Sequence, residues 1–103
     1  MKRLRVHVKV NALDIASGFR DCGGGCPLAL AIHRAIGAPV DVGPESIFEY
    51  NEAFDREDDP GRRLAKLPPR ARRFLQEFDA SRKVRPFGFY LRLAPRDVMG
   101  DPR

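Results

Sequence analysis

The sequence predicts an α+β domain in which two helices pack on one face of a small, mostly antiparallel sheet of three to four strands. Three observations carry that prediction. The chain has 103 residues, room for one hydrophobic core. Residues 4–10 and 87–93 alternate apolar and polar side chains, the period of a strand with one buried face. Between them, seven of the nine residues 28–36 are apolar, as in a mostly buried helix, and Ala71, Phe74, Leu75 and Phe78 fall at helical spacing. The expected domain covers residues 1–94. Residues 95–103, polar and bearing Pro95 and Pro102, are expected to fray as a flexible C-terminal tail.

The elements follow in order. Leu4, Val6, Val8 and Val10 alternate with Arg5, His7 and Lys9 in the first strand. Asn11 suits a helix cap, and Asp14 three residues on completes a near capping box for a short turn from Ala12 to Ser17, closed by Gly18. Arg20-Asp21-Cys22-Gly23-Gly24-Gly25-Cys26 cannot propagate regular structure cheaply. Pro27 suits the first position of a helix, because the missing N–H would have no partner there. Leu28 to Ile36 is that helix, mostly buried, and Gly37 ends it. Val40 to Val42 and Ile47 to Tyr50 are short strands. Glu52 to Lys66 is highly charged, contains Asp58-Asp59-Pro60-Gly61, and is expected to be a long surface excursion. Pro68-Pro69 opens the second helix, with Ala71, Phe74, Leu75 and Phe78 on one stripe. Phe87, Phe89, Leu91 and Leu93 form the buried side of the last strand.

Nineteen Lys and Arg residues stand against 14 Asp and Glu, a formal net charge of +5. Arg supplies 15 of the 19, so coding bias accounts for part of the excess. No apolar run approaches the roughly 20 residues of a membrane helix. The N-terminal segment lacks the apolar core of a signal peptide, so a cytoplasmic protein without a membrane partner is expected.

Two candidate sites stand out. In the first, Arg20, Cys22, Gly23, Gly24, Gly25 and Cys26 lead into a helix N-terminus, where free N–H groups and the dipole favour an anion. A phosphate, carboxylate or nucleotide would suit that place, although the Lys-Ser/Thr ending of a phosphate-binding loop is missing. The alternative is a connection in which Cys26 simply caps or packs under the helix. The Cys-x₃-Cys spacing also lies within the range for zinc, but only His7 and His33 are available to complete the ligand set. A redox dithiol is the remaining option for the pair. Catalysis by Cys26 with His33 as base fails on distance, roughly 10 Å by helix rise; with His7 as base it depends on the fold. No catalytic residue, metal or cofactor is assigned. The second candidate is a basic surface of Arg62, Arg63, Lys66, Arg70, Arg72 and Arg73, whose cations at a helix start oppose the dipole. Arg3, Arg5 and Lys9 form a smaller basic group on the first strand. Tyr50, Phe87 and Tyr90 would stack on bases where exposed.

Certain residues also form a recognisable pattern: Asp14, Ile15 and Gly18; Cys26 to Ala31; Leu67, Pro68, Phe74, Leu75, Phe78 and Asp79; and Val84, Pro86, Phe87 and Phe89. This pattern resembles a family of small uncharacterised proteins of bacteriophages and actinobacteria, over most of residues 3 to 91. The resemblance implies a phage-type accessory protein and brings no catalytic residue with it. Together these readings lead to a binding protein rather than an enzyme. The expected activity is sequestration of an anionic, nucleotide-like small molecule to counter host defence signalling, by a homo-oligomer. The alternatives are a basic nucleic-acid-binding regulator and a direct inhibitor of a host protein acting through residues 52–66.

Overall fold

A computed structural model describes residues 3–20, 24–50 and 62–98. The order is β1 (Leu4–Val10), α1 (Ala12–Ser17), α2 (Pro27–Ile36), β2 (Val40–Val42), β3 (Ser46–Glu49), β4 (Arg63–Lys66), α3 (Pro69–Asp79), β5 (Phe87–Leu93) and a 3₁₀ turn (Pro95–Asp97). The α+β class holds. The strands, however, form two antiparallel sheets rather than one: a β1–β5 ribbon and a β2–β3–β4 sheet.

The ribbon pairs Val10 with Phe87, Val8 with Phe89, Val6 with Leu91 and Leu4 with Leu93. These pairs share one side, so the intervening Arg5, His7, Lys9, Tyr90 and Arg92 share the other. Val8, Val10, Phe89, Leu91 and Leu93 are buried, which makes the apolar side part of the core. Helix α2 packs against both β1 and β2 and so spans the two sheets. Its Leu28, Ile32 and Ile36, at i, i+4 and i+8, are fully buried. Helix α3 reaches the same core through Ala71, Phe74 and Leu75. The Phe74 ring stacks on Phe87 of β5, with centroids 4.8 Å apart. Both longer helices therefore meet the apolar side of the ribbon, as the hydrophobic pattern predicts.

The strand Arg63–Lys66 corrects the expected excursion. Residues 51–61 lie outside the described residues, but the end of the charged stretch is a paired strand. Its pattern was unreadable because Leu64 and Ala65 are both buried although adjacent. The register against β3 slips between Ile47 and Phe48, so the bulge turns two successive side chains inward. The chain also stays structured past 94. The carboxylate of Asp97 is buried and accepts a hydrogen bond from Arg62, the residue before β4. Only residues 99–103 of the expected tail fall outside the described residues.

Two local devices lock the N-terminal third. Asn11 and Asp14 form the reciprocal capping box, Asp14 N–H to Asn11 Oδ1 at 2.8 Å and Asn11 N–H to Asp14 Oδ2 at 2.9 Å. Arg34 of α2 then donates two hydrogen bonds to the Asp14 carboxylate, at 2.8 and 2.7 Å, and one to the Lys9 carbonyl at 2.9 Å. One guanidinium thus ties α2 to α1 and to the end of β1. Bonding from Arg34 holds the Asp14 carboxyl below its usual value, with the Asn11 N–H helping and burial opposing.

Candidate anion-binding surface

The described residues on either side of the entrance to α2 lie against each other. The Phe19 N–H donates to the Gly25 carbonyl at 2.9 Å, bringing the chain after α1 against the residues before α2. Gly18 fits there because a Cβ would stand 2.5 Å from Cδ of Pro27. Cys26 is the N-cap, and its Sγ accepts from the Ala29 N–H at 3.4 Å. Pro27 has no N–H, and Cys26, Pro27, Leu28 and Ala29 are all buried. The helix start is therefore covered by side chains of the chain itself. Arg20 and Gly24 are exposed beside it, Gly25 is half-buried, and Cys22 and Gly23 lie outside the described residues. Among the described residues, no three His, Cys, Asp or Glu side chains converge as metal ligands would.

The basic residues predicted as one surface divide among three places. Arg62 turns to Asp97 and Glu49, the latter at 3.6 Å, and these carboxylates hold its guanidinium protonated more firmly than usual. Arg63, Lys66 and Arg72 converge on a groove of about 400 Å³, which Glu45 and Ser46 also line. The Nε of Arg72 is buried and has no hydrogen-bond partner among the described residues. Arg70 and Arg73, one helical turn apart, line a different groove on the other flank of α3. The separation follows from geometry, since position 72 points about 200° from position 70 around a helix.

Lys66 belongs to two grooves. The second, about 340 Å³, is lined by Arg3, Lys66, Pro68, Tyr90 and Arg92. It opens onto the outer face of the ribbon. That face presents Arg3, Arg5, His7 and Lys9 of the N-terminal segment against Gly88, Tyr90 and Arg92, with no acid among these described residues. Arg5 lies opposite Arg92, a like-charge cross-strand pair that opposes stability. Tyr90, 49% exposed, is flanked by the Arg5 guanidinium 3.9 Å from its ring centroid and by the His7 ring at 4.8 Å. Arg3 donates to the carbonyls of Arg92 and Leu64, at 3.1 and 3.4 Å, and so bridges β5 and β4 where the two sheets are not hydrogen-bonded to each other.

The sequence placed Arg3, Arg5 and Lys9 together but missed Arg92, which only the antiparallel register brings beside them. It also missed Lys83 and Arg85, in the connection after α3. No signal in the sequence marks either, because their placement depends on how that connection folds back. No family model matches this chain, and neither a curated protein nor a solved structure matches it.

Proposed function

We propose that the protein binds nucleic acid through its phosphate backbone, along a basic track that runs from the outer face of the β1–β5 ribbon to the start of α3. The observation that carries this reading is the continuity of the cations. Arg5, Arg92 and Arg3 lead to Lys66, and Lys66 leads to Arg63 and Arg72, with Glu45 the one acid among the described residues that line the two grooves. Two of these placements oppose stability. Arg5 faces Arg92 across the ribbon, and α3 begins with cations and no acid in its first turn. A polyanion would relieve both. Tyr90 adds a half-exposed ring on which an unpaired base could stack. The nucleotide-like ligand expected at the glycine-rich entrance has less support, since the helix start is capped by Cys26 and covered.

Anisotropy of labelled single-stranded and duplex oligonucleotides, titrated at several salt concentrations, tests the proposal. Binding at low salt should weaken steeply as salt rises, and the charge reversals Arg5→Glu with Arg92→Glu should abolish it. Binding that is absent at low salt, or indifferent to salt, would reject it.

A further inference from the structure

The other flank of α3 carries a groove that the track does not use. It measures about 340 Å³, the lower end of the size range of small-molecule sites. Its floor is apolar and aromatic: Phe74, Val84 and Phe87. Its rim holds four cations, Arg70 and Arg73 from α3 and Lys83 and Arg85 from the connection to β5, against one carboxylate among the described residues, that of Glu77.

The rim is assembled by the way α3 ends. The Ser81 N–H donates to the Phe78 carbonyl at 3.0 Å and the Arg82 N–H to the Glu77 carbonyl at 2.9 Å. This is a Schellman closure with Ser81 in the left-handed region, φ 64°. The closure turns the chain, and residues 83–85 then lie along the same groove as Arg70 and Arg73. The side chain of Val84 completes the floor while its neighbours reach the rim. Arg70 stands over the Phe87 ring at 5.8 Å, so the cation and the aromatic surface adjoin.

We infer that this groove is a binding site for a small nucleoside phosphate. The match is chemical. An aromatic floor takes the face of a base, and Arg and Lys at the rim take the charged oxygens of its phosphates. A bare phosphate would leave the floor empty, and an uncharged nucleoside would leave four cations unmatched. Lys83, Arg85, Arg70 and Arg73 line neither groove of the basic track, so the two sites are separable by mutation.

The test uses the full chain and calorimetric titration with ATP, adenosine and tripolyphosphate. ATP should bind, and adenosine and tripolyphosphate should each bind at least about tenfold more weakly. Lys83→Glu with Arg85→Glu, both exposed residues outside helix and strand, should weaken ATP binding by at least about tenfold and leave oligonucleotide binding unchanged. Tripolyphosphate binding as tightly as ATP would overturn the inference, because the site would then recognise charge alone. An unchanged affinity for ATP in the double variant, or no ATP binding by the wild type, would overturn it as well. Neither result bears on the track, whose failure shows in the oligonucleotide titration.

Discussion

Asp14→Ala should destabilise the protein by about 2 kcal/mol at neutral pH. Two losses make up the figure. The Asn11 N–H loses its carboxylate partner at 2.9 Å, half of the capping box, at about 1 kcal/mol. The two bonds from Arg34 go as well. The Arg34 side chain is 51% exposed, so solvent screens that ion pair and limits it to about 1 kcal/mol. The other half of the box, Asn11 Oδ1 accepting from the N–H at position 14, survives the substitution. Two kcal/mol corresponds to a fall in Tm of roughly 10 °C for a domain of this size. Thermal unfolding followed by circular dichroism reads it directly. Arg34→Ala should destabilise comparably, because it also frees the Lys9 carbonyl. The double variant should then fall short of the sum by about 1 kcal/mol, since the pair is lost only once. The pH dependence has a definite sign. The folded-state pKa of Asp14 lies below its unfolded value, so its contribution is fully present above the unfolded pKa, about 3.9. That contribution disappears as pH falls through the folded value. The gap between wild type and Asp14→Asn should therefore stay constant from pH 5 to 8 and narrow only below about pH 4. A gap that is the same at pH 3 as at pH 7, or single effects that add fully, would refute the reasoning.

Three further outcomes are expected. Gly18→Ala should destabilise by about 1–3 kcal/mol, because the added carbon meets the rigid ring of Pro27 rather than a mobile side-chain tip; urea unfolding would measure it. Ser81→Gly should raise stability by up to about 1 kcal/mol in the same assay, since a glycine at φ 64° carries no Cβ strain. For duplex DNA, Lys66→Gln should lower the slope of log affinity against log salt by about one unit, and the wild-type slope should approach five if all six track cations contact phosphate. A slope that Lys66→Gln leaves untouched would place the nucleic acid elsewhere.

Most of the elements were legible in the sequence because their signals are local. Period-two alternation marked β1 and β5 to the residue, and the capping pair Asn11 and Asp14 marked α1. Pro27 and Gly37 marked the two ends of α2. Strand β4 was not legible, because a bulge puts Leu64 and Ala65 both inward and erases the alternation that announces a strand. The 3₁₀ turn at Pro95 was hidden for a different reason. The residues are polar, and what orders them is the partner Arg62, 35 positions away.

Gly18 shows the limit of local reasoning most clearly. Its position as the end of α1 is readable, and glycine there suggests a left-handed backbone. Its φ is −77°, which any residue adopts. The requirement for glycine comes from Pro27, nine residues on, whose ring packs against it.

The sequence by itself determined the class of fold, the order of most elements and most of the buried side chains of β1, α2, α3 and β5, since burial there follows from the apolar pattern along each segment. It also supplied the positive charge. Only the tertiary structure decided where that charge acts. Six basic residues close in sequence were dispersed to three places, because adjacent strand positions and helix positions two apart point in different directions. Arg92 was brought from the far end of the chain to face Arg5 by the antiparallel register. Lys83 and Arg85 reached the rim of a groove through the turn at Ser81. Convergence of side chains is a property of chain reversals and register, and these are set by packing between distant segments rather than by any one of them.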